Sequence, residues 1–268
     1  MLREIEHKSP HAEYIYVTDD RSITSKTWEV RYIDAPKDED IFNTCYHIRF
    51  NPFDYATTDV VLRIDGSIQC IGNTDEIIHY FDRGGYDICL LAHPKRFSMF
   101  EEYDEWCKTR GYSRTQADRI LSYMTSQGYD VANYRGLYQF GFMIQRRNPV
   151  SEEFNAATLS LLQELAPDGK AVERIDQTVG SFVLNSRFSN RIKAMVVDER
   201  VLHSKFFRHF PHGSWIENEF DGSVILPYLF NRPVKIAKLH YRAKVFYNQR
   251  WRLLSVVPFL RFVNRWIR

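Results

Sequence analysis

The apolar run Val60-Val61-Leu62-Arg63-Ile64 stops abruptly at Asp65-Gly66-Ser67. A carboxylate at the end of a core strand lies on the carboxyl edge of a sheet, where open α/β folds gather their ligands. It can hold a hard divalent cation whose other ligands are waters and substrate phosphates. Gly66 would let the backbone approach a phosphate closely. The same Asp-Gly, set between Leu62/Ile64 and Ile68/Cys70, also suits a two-residue type I′ hairpin turn. Both readings stand at this point.

Three other groups carry chemistry. His93-Pro94-Lys95-Arg96 comes directly off the apolar run Ile88 to Ala92, which brings cationic groups to the same sheet edge as Asp65, where they can meet a diphosphate or an anionic sugar. The carboxylates that follow, Glu101, Glu102, Asp104 and Glu105, read mainly as a solvated helix face with Glu101 as a cap. Arg174-Ile175-Asp176-Gln177 opens a helix, so Asp176 is either an N-cap or, with Gln177, a group that orients a sugar hydroxyl or acts as a base. His203, His209 and His212 match no zinc spacing; one of them, His212, could complete the coordination of a cation held at Asp65. The chain has no GxGxxG, Walker or GxSxG motif, which argues against dinucleotide dehydrogenases, P-loop NTPases and α/β hydrolases.

These groups need strands and helices to hold them. Glu13 to Asp20, Thr27 to Ile33, Val60 to Ile64, Tyr86 to His93 and Leu137 to Gln145 read as strands. Ser98-Met99-Phe100-Glu101 is a capping-box pattern, and helices are expected over Ser113–Gln127, Ser151–Leu165 and Asp176–Leu184. Alternating strands and helices predict an α/β fold with a mainly parallel central sheet flanked by helices.

With 44% apolar residues among 268, the chain can fill a large core. Cys45, Cys70, Cys89 and Cys107 form no CxxC pair, and the N-terminus lacks signal-peptide regions, so a cytoplasmic protein with reduced cysteines is expected. No run reaches the length of a membrane span. After Asp221 there is no acidic residue but ten Lys/Arg, which leaves 26 basic against 34 acidic residues upstream. A mildly acidic body over 1–225 thus precedes a basic aromatic tail over 226–268. In that tail Val256, Phe259, Leu260, Val263, Trp266 and Ile267 share one helical face, and Arg261, Arg265 and Arg268 take the rest. That pattern predicts an interfacial helix on an anionic membrane surface, or a helix docked on the acidic body.

The ordered set Tyr14-Ile15-Tyr16-Val17-Thr18-Asp19-Asp20, the Trp28 strand, Arg63-Ile64-Asp65-Gly66-Ser67, His93 to Arg96 with Glu101-Glu102, Gly136-Leu137 to Arg146-Arg147-Asn148, Phe154-Asn155 and Arg174-Ile175-Asp176-Gln177 resembles a glycosyltransferase-like family. That family occurs in bacterial surface-polysaccharide loci and among plant Golgi proteins of the mucilage and pectin pathways. The resemblance spans roughly residues 14–190 and implies a GT-A-like nucleotide-sugar fold that moves a sugar from a nucleotide-diphosphate donor to a hydroxyl of a surface glycan or lipid-linked glycan. It implies Mn²⁺ or Mg²⁺ held by Asp65, with His212 as the candidate further ligand from the histidine cluster. Thr18, Asp19, Arg63, His93 and Arg96 would meet the nucleotide sugar, and Asp176, Gln177 and Glu102 would serve catalysis. The expected location is the inner face of the cytoplasmic membrane.

Two departures stand out. The family has one more strand ahead of the Tyr14 segment, and Asp65 is followed by Gly66-Ser67 where metal-dependent GT-A enzymes carry Asp-x-Asp. A catalytically inactive carbohydrate-binding or scaffold protein would explain both. A nucleic-acid-binding protein would explain the basic tail, but the acidic body and lack of a binding motif speak against it.

Overall fold

In the computed structural model, residues 2–34, 41–94, 96, 98–109, 114–131, 136–165 and 175–210 are described. His212, Arg174 and the whole basic tail, with its expected helix, lie outside the described residues. The element order is β1 (Ile15–Thr18), β2 (Glu29–Tyr32), α1 (Ile41–Phe50), β3 (Val60–Ile64), β4 (Ile68–Cys70), α2 (Asp75–Arg83), β5 (Ile88–Ala92), α3 (Met99–Thr109), α4 (Arg114–Ser126), β6 (Tyr138–Arg146), α5 (Pro149–Leu165), α6 (Asp176–Val183), β7 (Ala194–Val197) and β8 (Phe207–His209). The protein is a mixed α/β fold with a helix-flanked sheet. Among the described residues no helix is long and apolar enough to cross a membrane.

The central sheet has the order β3-β6-β5-β7. Strands β3, β5 and β7 run in one direction, and β6 runs against them between β3 and β5. The expectation of a mainly parallel sheet therefore needs refining: most strands share a direction, yet β5–β7 is the one parallel pairing of this sheet. β1 and β2 form a separate parallel pair, and β4 pairs with β8. Asp65-Gly66 is consequently not the tip of a hairpin. The Ile68 N–H bonds back to the Asp65 carbonyl at 2.8 Å, a turn that carries the chain out of one sheet and into another.

Alternation along β5 explains how the layers assemble. Ile88 and Leu90 face one core with Tyr46 and Phe50 of α1, Phe154 of α5 and Phe182 of α6. Cys89 and Leu91 face a second core with Ile77 and Phe81 of α2, Cys70 of β4 and Phe207 of β8. Phe140, from β6, lies between Phe50 and Phe154 at centroid distances of 5.7 and 6.5 Å, and each fully buried ring of this kind contributes roughly 1.5–3 kcal/mol.

Local signals act where they were legible. Ser98 and Glu101 form the expected reciprocal box: the Glu101 N–H donates to Ser98 Oγ and the Ser98 N–H to Glu101 Oε2, both at 3.2 Å. Gly128 closes α4 with φ +76°, a left-handed conformation that suits glycine. Asn148 Oδ1 accepts from the Ser151 N–H at 2.9 Å and starts α5 two residues before Ser151.

One carboxylate makes several of the bonds that hold the N-terminal segment. Glu4 accepts from the Thr27 hydroxyl, the Ser25 hydroxyl (2.7 Å) and the Lys26 and Thr27 N–H groups (3.1 and 3.0 Å). The Thr27 and Ser25 hydroxyls, followed by the Lys26 N–H, lower its pKa to about 2. Because the folded pKa is depressed, this tie is complete above the ordinary glutamate range and is lost as pH falls through about 2. Amide shifts of Lys26 and Thr27 followed through an acid titration should therefore move with a midpoint near 2. A midpoint at an ordinary glutamate value would show that the carboxylate is not held.

Candidate functional site

Asp65 follows the last residue of β3, and its backbone N–H donates to the Gly141 carbonyl of β6 at 2.8 Å. Two guanidiniums reach its carboxylate: Arg49 Nη2 and Arg63 Nη1 both donate to Oδ1, at 2.8 and 3.0 Å. Arg49, from the last turn of α1, also donates through Nη1 to Asp176 Oδ2. One arginine thus bridges the carboxylate at the end of β3 and the carboxylate at the start of α6. The Asp176 side chain is 4% exposed and that of Arg49 19%, so this pair is shielded from water. Asp176 does not cap its helix, because Ile175 holds the cap position without a side-chain cap bond.

Burial opposes the charge on Arg49, but Asp176 and Asp65 together outweigh it and raise its pKa. For Asp65 burial acts upward, and Arg49 and Arg63 overcome it to hold the carboxyl below its usual range. Arg63 is different: burial first, and repulsion from Arg49 second, lower its pKa to about 10. Its Nη2 donates to the Phe140 carbonyl, while Nε is buried without a hydrogen-bond partner. Gln177 Oε1 is likewise buried and unpartnered. Burial pushes the Cys45 thiol up, Arg49 acts against it, and Asp65, Asp19 and Asp176 add to the rise. Asp65 and Asp176 thus meet at α1 through Arg49.

Arg49, Arg63 and Asp65 line a cleft of about 860 Å³ that is also bordered by residues of β1, β3, α1 and α2. Thr18 ends β1 and uses Oγ1 to accept from the Asp20 N–H at 3.1 Å, with Asp19 exposed beside it. The cationic group after β5 forms a second cluster. His93 is buried and its Nδ1 accepts from the Arg96 N–H at 3.0 Å, while the Arg96 side chain turns back onto Glu102 and, at 3.4 Å, Glu105. Glu102 is fully buried. A catalytic role for it needs correcting: a carboxylate sealed in the core and held by Arg96 cannot reach a substrate, so it positions Arg96. His93 meets Leu137 just ahead of β6, whereas Ile64 pairs with Phe142 in the middle of that strand, so this cluster lies toward the same edge of the sheet as Asp65 but further along β6.

The sequence reasoning missed Arg49. Its signal is weak, a single arginine in a short helix just ahead of Asn51-Pro52, and only the fold brings it to Asp65 and Asp176.

No family model matches this chain, and no curated protein matches it.

Proposed function

We propose that this chain is a GT-A-like glycosyltransferase that moves a sugar from a nucleotide-diphosphate donor to a hydroxyl of a surface glycan. The observation that supports the reading best is the Arg49 bridge between Asp65 and Asp176, with Arg63 beside it, at the carboxyl edge of the sheet and the mouth of the cleft. When a glycosidic bond to a diphosphate breaks, negative charge grows on the leaving group, and fixed cations in a partly dry site stabilise it most. Arg49 and Arg63 are such cations. Thr18 and Asp19 would border the nucleotide, Gln177 would orient the acceptor hydroxyl, and Asp176, buried against Arg49, would position that arginine.

The arrangement does not fit a divalent cation at Asp65. Oδ1 already accepts from two guanidiniums, and a metal ion beside it would meet two like charges at contact range, each repelling it by several kcal/mol at an effective dielectric of about 20. No step is therefore routed through Mn²⁺ or Mg²⁺, and the arginines take the charge-neutralising role. In this reading the basic residues from Arg232 to Arg268 hold the enzyme against the anionic inner membrane surface, where lipid-linked acceptors reside.

A second reading rests on the same bridge. Each cation of this group already has a carboxylate partner, which suits a carbohydrate-binding or scaffold protein that binds without turnover. Nucleoside diphosphate release across a panel of nucleotide sugars separates the two. The glycosyltransferase reading expects release that persists in chelator and falls on the order of tenfold to a hundredfold in Asp65→Asn, which drops the charge anchoring both arginines. Donor binding without release would leave the scaffold reading standing, and a strict Mn²⁺ requirement would overturn the arginine mechanism.

A further inference from the structure

Strand β6 does not pair evenly with β5. Its register jumps from Leu90 opposite Met143 to Leu91 opposite Gln139, so Phe140-Gly141-Phe142 bulge out of that ladder. On its other side β6 keeps step with β3, where Ile64 stands opposite Phe142 and the Asp65 N–H reaches the Gly141 carbonyl at 2.8 Å. The bulge also turns the chain over. Residues two apart in a regular strand share a face, yet Phe140 lies in the core with Phe50 and Phe154, and Phe142 in the core with Phe81 and Phe207. The irregularity sits against the end of β3, where Asp65 stands.

Two residues of the bulge act on the charged site. The Phe140 carbonyl accepts from Arg63 Nη2, which fixes the guanidinium that also holds Asp65 at 3.0 Å. Gly141 stands directly across from Asp65, and residues opposed in an antiparallel pair share a face of the sheet. A β-carbon at Gly141 would lie 3.0 Å from Asp65 Oδ2 and 3.6 Å from its Cγ; apart from its chain neighbours, no other atom of the described residues would stand within 4 Å of it. The backbone there does not itself demand glycine, because positive φ among the described glycines belongs to Gly85, Gly128 and Gly136. What Gly141 supplies is room for a carboxylate.

A second glycine meets the same bulge from the helix side. A β-carbon at Gly180 of α6 would come within 2.6 Å of Cζ, 2.9 Å of Cε2 and 3.1 Å of Cε1 of the Phe140 ring. The ring therefore lies directly on the helix backbone, at a position held by a residue that is a poor helix former. Asp176, which shares Arg49 with Asp65, begins this helix about one turn before Gly180. Phe140 thus joins the strand that holds Asp65 to the helix that holds Asp176.

We propose that the bulge at Phe140-Gly141-Phe142 sets the geometry of the charged site, with Gly141 and Gly180 as its positioning residues. Gly141 leaves the space that the Asp65 carboxylate occupies, and Gly180 seats the Phe140 ring so that Arg49 can span Asp65 and Asp176. Asp65 Oδ1 holds both guanidiniums, so a push on Oδ2 passes to Arg49 and Arg63 together. The use of these cations on a donor rests on the glycosyltransferase reading; their placement by the two glycines does not.

Gly141→Ala, made in the full-length chain and again beside Asp65→Ala, tests it through urea unfolding and the Nε–H NMR signals of Arg49 and Arg63. An unobstructed strand glycine gains about twofold to fivefold in its folding equilibrium when alanine replaces it. Here Gly141→Ala should instead lose on the order of tenfold, with both arginine signals displaced. Beside Asp65→Ala that loss should vanish, because the obstructing carboxylate is gone. If that background does not fold, the sign of the Gly141→Ala effect and the two arginine signals decide. In the glycosyltransferase reading, nucleoside diphosphate release also falls on the order of tenfold in Gly141→Ala. A chain that turns over no nucleotide sugar would sink that reading alone, since unfolding and the arginine signals still report the placement. A gain in stability with unmoved arginine signals would overturn the proposal. So would an equal loss with and without the Asp65 side chain, which would mark a backbone that needs glycine for itself.

Discussion

Arg49→Met is expected to destabilise the protein by about 3–5 kcal/mol, the cost of stripping the partner from a buried ion pair. The Asp176 side chain is 4% exposed, so without Arg49 its charge stays in the core with its guanidinium partner gone. Asp65 keeps Arg63 and suffers less. Replacing both partners, as in Arg49→Met/Asp176→Leu, should recover most of the loss, because a well-packed apolar pair can match a buried ion pair in stability. Urea denaturation of the two single variants and the double variant gives the coupling energy directly. A loss under about 1 kcal/mol for Arg49→Met would place the bridge with ordinary surface pairs. In the folded fraction the glycosyltransferase reading adds that donor turnover falls even where the double variant is stable, since the cation facing the leaving group is gone from both.

Much of the scaffold was legible because its signals are local. The apolar runs ending at Ile64 and Ala92 are strands, and the Ser98–Glu101 box and Gly128 bound helices as their chemistry requires. Helix α1 carries little sequence signal, since Asn51-Pro52 follows it closely and its apolar residues are broken by Asn43, Thr44, His47 and Arg49. Its place is set by Tyr46 and Phe50 meeting a core built from α5, α6 and β6, residues about a hundred or more positions away. The short strand β4 hides behind an Asp-Gly that looks like a hairpin turn, because its partner β8 lies far along the chain. The reversed direction of β6 has no sequence signature either: an antiparallel strand buried on both faces reads as the same apolar run as a parallel one. Asp65 and Asp176 were legible as candidates because each stands at the end of an element. What joins them, Arg49, is a tertiary fact.

Arg96 could serve either as a donor-phosphate ligand or as the partner of a buried carboxylate. A donor-phosphate ligand would keep its guanidinium free for substrate, but here that group lies on Glu102, which is 0% exposed, with Glu105 at 3.4 Å. Removing it with Arg96→Ala should cost about 3 kcal/mol or more, because Glu102 then holds a buried charge without the cation that faces it. Adding Glu102→Leu should restore much of that stability. If Arg96 instead acts mainly on the donor, Arg96→Ala would unfold at nearly the unaltered denaturant midpoint and raise KM for the nucleotide sugar, and Glu102→Leu would rescue nothing. The geometry favours the first result: the backbone N–H of Arg96 is fastened to His93 Nδ1 at 3.0 Å while the side chain turns inward, so the segment after β5 is folded onto α3 by its own charges. Arg96, fastened to His93, then serves to lock α3 against the sheet, and in the glycosyltransferase reading the charge that faces a donor comes from Arg49 and Arg63.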